Sequence, residues 1–144
     1  YSVIYNIFDQ APEDNLFPLC RLMDIGVIAR VPFDEGTLTG TLTKETIFPK
    51  DDWRSTYFVR ENLNTSVDHA EALKPLVPTT MTMAELALRF ILCNEDVHTI
   101  IPGMRKVKNV ETNMAASSGI KLEKSIKQAL TKHRWDRTPT EWSQ

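Results

Sequence analysis

Apolar residues in this chain fall into two kinds of run. The short, nearly continuous runs are Val3-Ile4-Tyr5-Asn6-Ile7-Phe8, Val27-Ile28-Ala29-Arg30-Val31 and Thr99-Ile100-Ile101. They are rich in β-favouring residues and predict strands; the first suits a strand covered on both faces, as in a parallel sheet. The other runs recur at helical spacing. Leu16, Phe17, Leu19, Cys20 and Met23 predict a helix with Pro18 in its first turn and Gly26 as its stop. Asn62 to Leu76 predicts a second, with Val67, Ala70, Leu73 and Leu76 on one face. Thr82-Met83-Ala84-Glu85 is a capping box, and Met83, Leu86, Ala87, Phe90 and Ile91 form the stripe of the helix it opens. Lys106 to Ala116 is helical with Gly119 as its stop. A last amphipathic helix carries Leu122, Ile126, Ala129 and Leu130, with Glu123 and Lys127 as an i,i+4 pair.

Strands alternating with helices give an α/β fold with three parallel strands, the first two joined as a βαβ unit. Three parallel strands leave both sheet edges unpaired. The expectation is therefore that further strands come from a missing N-terminal half or from self-association. The chain also opens at Tyr1 inside an expected strand, with no methionine before Met23. This predicts that residues 1–144 are a piece of something longer. The tail from Arg134 to Gln144 carries Trp135 and Trp142 and is expected to pack on something.

Composition narrows the function classes. Hydrophobic residues make up 42% and charged residues 25%, as in soluble globular domains and unlike disordered chains. The formal net charge of -2 leaves no bulk basic field to attract nucleic acid or an anionic membrane. No apolar stretch is long enough to cross a bilayer as a helix. Cys20 and Cys93 lie far apart within apolar patterns, which predicts buried free thiols in a reducing, cytoplasmic compartment. His69, His98 and His133 stand alone, so no metal site is expected.

Two segments could carry chemistry. In Ile101-Pro102-Gly103-Met104-Arg105-Lys106-Val107-Lys108-Asn109 three cations cluster where a helix begins. The helix dipole is positive there, so these charges oppose it unless an anion shares them with the free N–H groups. Gly103 would let the backbone approach such an anion closely. A solvated basic turn is the plainer alternative. The second segment, Arg30-Val31-Pro32-Phe33-Asp34-Glu35-Gly36-Thr37-Leu38-Thr39-Gly40, follows the second strand and opens a long polar connection to Lys50. Loops at the carboxyl ends of α/β strands are where ligands bind, although an ordinary surface loop fits the pattern as well.

Asn6-Ile7-Phe8-Asp9-Gln10, then Gly26-Val27-Ile28-Ala29-Arg30-Val31-Pro32-Phe33 with Gly36-x-Leu38-Thr39-Gly40, then Ile101-Pro102-Gly103-Met104-Arg105-Lys106 with Asn113, together resemble the aldo-keto reductase family. Their order and spacing match the last three strands of its (β/α)8 TIM barrel and the loops after them. The resemblance runs over essentially the whole chain. It implies the C-terminal portion of such a barrel, and an NADP-dependent oxidoreductase that reduces aldehydes and ketones by hydride transfer without a metal.

The resemblance also implies roles. Ser2 stands where the family usually has a glutamine on the nicotinamide carboxamide. Arg30 stands where many members stack a tyrosine on the nicotinamide, and a planar guanidinium can stack too. Val31, Pro32, Phe33, Gly36, Leu38 and Gly40 match the loop over the pyrophosphate. Gly103, Met104 and Arg105 match the turn that meets the adenosine 2′-phosphate. Asn109 stands where many members place an arginine for that phosphate, which leaves Arg105 as the better candidate. Asn113 matches the asparagine on the adenine amino group. The family's catalytic aspartate, tyrosine, lysine and histidine lie on its earlier strands, so no catalytic residue is expected here, and the chain alone is expected to be inactive. The alternatives are a noncatalytic nucleotide-binding module of this fold and a self-associating structural half-barrel. The partner implied for the parent enzyme is a small carbonyl substrate.

Overall fold

The computed structural model describes residues 1–137. Three parallel strands form one sheet in chain order, β1 (Ser2–Ile4), β2 (Ile28–Arg30) and β3 (Thr99–Ile100). Ser2 pairs with Ile28 and Ile4 with Arg30, while Ile28 also pairs with Thr99. Helix α1 (Leu16–Leu22) links β1 to β2. A 3-10 segment (Asp34–Thr39), α2 (Arg54–Tyr57), α3 (Arg60–Leu73) and α4 (Met83–Leu92) come between β2 and β3. Helices α5 (Val107–Ala115) and α6 (Lys124–Thr131) follow.

The core lies on one face of the sheet. Val27 and Ala29 are buried there, with Val3 and Ile100 packed against the same cluster. Phe17 and Cys20 of α1, Ala70 and Leu73 of α3, Met83, Leu86, Ala87, Phe90 and Ile91 of α4, and Leu130 of α6 join it. The stripe expected of α4 is therefore its buried face. On the opposite face Ile28 and Ile101 are exposed, so the sheet is covered on one side only. The continuous apolar runs reflect a surface that the described chain leaves partly open.

Several local expectations are corrected. β1 ends at Ile4, not Phe8. Tyr5, Ile7 and Phe8 are buried, but in a turn where Asn6 Oδ1 accepts from the N–H groups of Phe8 (2.9 Å) and Asp9 (3.0 Å). Leu19 and Met23 are exposed, because α1 is too short to bury more than Phe17 and Cys20. The left-handed residue after α1 is Asp24 (φ 53), not Gly26, a position an aspartate tolerates. Half of the capping box forms: Thr82 Oγ1 accepts from Glu85 N–H at 3.1 Å. The Glu85 carboxylate turns instead to Arg89 Nε at 2.8 Å. Lys127 donates to the Cys93 carbonyl (3.0 Å) rather than pairing with Glu123. The short α2 was not expected. Trp135 packs on the body, with its ring stacked on His69 at 3.8 Å; Trp142 lies outside the described residues.

Candidate cofactor cleft

The two candidate segments, about 70 residues apart in sequence, face each other across one cleft of about 760 Å³. Phe33, Gly36 and Thr39 line it from the loop after β2. Gly103, Arg105, Lys106, Asn109 and Asn113 line it from the turn after β3 and from α5. This juxtaposition follows from the parallel sheet: adjacent parallel strands release their following loops at the same end.

The loop after β2 is strained and held. Val31 has φ 56, a conformation rarely adopted by a β-branched residue, and Asp34 (φ 49) and Glu35 (φ 58) are also left-handed. Asn6 Nδ2 donates to the Val31 carbonyl at 3.0 Å and fixes the entry. The Gly36 and Leu38 N–H groups both donate to the Phe33 carbonyl, at 3.0 and 2.9 Å. Leu38 is fully buried in the core. Gly40 (φ 72) lies against α4, where an added Cβ would sit 3.4 Å from Met83 Cβ. Gly36 (φ 103) faces Arg54, and an added Cβ there would sit 3.7 Å from Arg54 Nη1.

Arg54 is a cleft residue that pattern reasoning missed. It pairs two-handedly with Asp52 (Nη2 to Oδ2 2.5 Å, Nε to Oδ1 3.0 Å), and its guanidinium lies 4.7 Å from the Phe48 ring centre. Hydrogen bonding from Arg54 is the chief cause that holds the Asp52 carboxyl down at about 2, with a smaller pull from the Arg105 charge. The one sequence signal was the alternating Asp52-x-Arg54 pair inside the polar connection.

The opposite wall is open. Arg105, Lys106, Lys108 and Asn109 are exposed. Among the described residues no ion pair engages Arg105, Lys106 or Lys108. Lys106 occupies the N-cap of α5 without a side-chain cap, so the first N–H groups of the helix stay available to a ligand. Asn113 Nδ2 donates to the Gly103 carbonyl at 3.2 Å, which closes the turn and leaves Oδ1 as an acceptor. Glu85 is an acid on the wall, neutralised by Arg89. Unpaired cations on one wall, uncapped helix amides and a glycine at the lip fit a phosphate-bearing ligand.

Not every residue named from the sequence reaches the cleft. Ser2 is exposed at the start of β1, and Arg30 ends β2 half-buried; neither lines the cavity. Val31, Pro32, Leu38 and Gly40 shape the loop from behind, and Met104 points elsewhere, toward a smaller hollow with Pro102 and Met114. Two of the tyrosines pack into the body. Tyr5 donates to the Glu13 carboxylate and accepts from Asn94. Burial, with a smaller push from Asp34, raises Tyr57 to about 12. His98 Nδ1 accepts from Val27 N–H at 3.1 Å, a structural role. No cluster of metal-ligating side chains occurs among the described residues, and no helix there is long and apolar enough to cross a membrane.

The model of the Aldo/keto reductase family matches residues 1–134. An NADH-specific methylglyoxal reductase of Escherichia coli is 36% identical over 115 residues, covering 78% of this chain and 35% of that protein. An NADP(+) aldo-keto reductase of Schizosaccharomyces pombe is 26% identical over 74% of this chain and 32% of its own. The chain thus spans about a third of the length of these relatives. Among solved structures, a glycerol dehydrogenase from Gluconobacter oxydans superposes with a TM-score of 0.77 at 24% identity, covering 92% of this chain and 41% of that one. The holo form of an aldo-keto reductase from Bacillus halodurans superposes at 0.68 and 23% identity, covering 99% and 43%.

Proposed function

This chain belongs to the aldo/keto reductase family, whose fold it shares as a three-strand portion of a TIM barrel, and we propose that it forms the cofactor-holding part of an NADP-dependent oxidoreductase acting on small aldehydes or ketones. Members of the family generally use nicotinamide cofactors. The observation that carries the reading is the convergence of the Gly36 loop, Arg54 and the Arg105 turn on one cleft.

Arg105 would take the adenosine 2′-phosphate, with the uncapped amides of α5 beside it. Asn113 would accept from the adenine amino group through its free Oδ1. Gly36 would let the loop backbone approach the pyrophosphate, with Arg54 as a second cation on that side. Arg30 would stack on the nicotinamide ring, and Ser2 would reach its carboxamide. The bound cofactor supplies a hydride to the carbonyl carbon of the substrate. We assign no catalytic residue to this chain, and we read residues 1–144 as the C-terminal part of such a domain. Arg105 and Lys106 favour NADP over NAD, although the Escherichia coli relative is named as NADH-specific.

Titration calorimetry of the chain with NADPH and with NADH tests this. Tighter binding of NADPH is expected; equal affinity, or none for either, would overturn the reading. In the same preparation NADPH and a reactive aldehyde should show no turnover. Steady oxidation of NADPH that Arg30→Ala abolishes would place catalysis inside this chain.

A further inference from the structure

The strained loop of the cleft is gripped from a part of the chain that lies three residues beyond the span matched by the family model. Arg137 Nη2 donates to Asp34 Oδ1 (2.6 Å) and to Asp9 Oδ2 (3.0 Å), and Arg137 Nη1 donates to Asp34 Oδ2 (3.1 Å). The Asp34 side chain is 4% exposed and that of Arg137 18%, so this pair is largely removed from water. Such a pair is geometrically exacting, because a carboxylate left alone at that depth is strongly unfavourable.

The segment that delivers Arg137 is itself pinned. Trp135 N–H donates to the Phe8 carbonyl at 2.9 Å. One face of the Trp135 ring stacks on His69, and Arg137 Cζ lies 4.3 Å from its centre. Arg134 grips Asp14 through two bonds of 2.8 Å. The segment therefore runs as a strap over the carboxyl ends of β1 and β2, with Asp9 from one loop and Asp34 from the other joined in one guanidinium fork.

Asp34 opens the left-handed pair Asp34–Glu35 that precedes Gly36. A residue in this conformation persists only when its surroundings over-determine it. Asn6 holds the entry of the loop at Val31; within the loop itself one backbone bond, from the Asp34 N–H to the Val31 carbonyl (3.2 Å), holds Asp34, and among the described residues its carboxylate is held only by Arg137. We propose that Arg137 is a positioning residue for the cleft: through Asp34 it keeps Phe33 and Gly36 on the wall that faces Arg105. The effect on the loop stands on the contacts alone, whereas its consequence for binding rests on the dinucleotide reading above.

Amide hydrogen exchange of the whole chain separates the two. In Arg137→Met the Gly36, Leu38 and Gly40 amides should lose about tenfold or more of their protection, the equivalent of one charge-assisted hydrogen bond, while the Phe90 and Ile91 amides of α4 keep theirs. Arg137→Lys keeps the buried positive charge, and with it the fold, but loses the fork; its loop should fall between wild type and Arg137→Met. NADPH affinity should follow the same order, wild type above Lys above Met. Loop protection unchanged in both variants, or lost equally in α4, would overturn the positioning role. A loop that loosens in a chain that binds neither NADPH nor NADH would uphold the strap and overturn only the dinucleotide reading.

Discussion

Loop 31–40 and the 103–109 turn face each other across one cleft, yet the first is buried and cross-braced while the second stands in solvent. Asp34, Thr37 and Leu38 of the loop are buried. Asn6 and Arg137 bind it from two other segments. Among the described residues the turn is held only from α5, by Asn113 on the Gly103 carbonyl and Thr112 on the Lys108 and Asn109 carbonyls, and its cations project freely. The loop is thus a prebuilt wall, and under the proposed function its residues would serve folding and binding together. The turn is a charged surface, and its residues would serve binding alone. Substitutions should separate accordingly, since a buried side chain removed leaves a cavity whereas an exposed one is replaced by water.

The largest effect is expected on the loop side. Leu38→Ala removes a fully buried side chain and should lower unfolding stability by about 2–5 kcal/mol in urea denaturation. A loss below about 0.5 kcal/mol would mean that the loop is not the braced wall described.

On the turn side Arg105→Ala should leave stability within about 0.5 kcal/mol of wild type. It should instead narrow the preference for NADPH over NADH by about tenfold or more, as one charge-assisted hydrogen bond implies. Calorimetry reads this directly. An unchanged preference would leave these residues as a solvated basic turn.

The smallest effect is a pH dependence beneath the strap. Burial, and then the nearby Arg137 charge, lower the His69 pKa below 6.5. The folded chain therefore favours the neutral imidazole stacked on Trp135. Stability from this group is complete above pH 6.5 and declines as pH falls from there toward the lowered value. Asp9 and Glu35, raised mainly by burial, act in the opposite sense from about 3.8 and 4.5 upward. Comparison with His69→Gln isolates the histidine: the variant should lack the decline that sets in below pH 6.5. An identical profile in both chains would remove His69 from the strap's energetics.

Much of this architecture was written in local sequence. The three apolar runs mark the three strands, although only two or three residues of each pair. The period of Met83, Leu86, Ala87, Phe90 and Ile91 marks the buried face of α4, and Thr82 its start. The cations before α5 stand out because they oppose the helix dipole, a conflict visible without coordinates. These features depend on neighbours within a few positions, where backbone sterics and side-chain period act directly.

What the tertiary structure decided depends on residues distant in the chain. β1 stops at Ile4 because Asn6 turns the backbone and reaches Val31, a contact no local pattern encodes. Gly26 looked like the helix stop, but Asp24 takes the left-handed position once α1 docks through Phe17 and Cys20. Arg54 reads as an ordinary loop charge until the fold brings it against Gly36. Arg137 and Asp34, 103 positions apart, read as separate surface charges until burial makes each the other's necessary partner. Period and propensity report what a segment prefers by itself; an ion pair drawn out of water from two distant segments exists only once the chain has closed on itself.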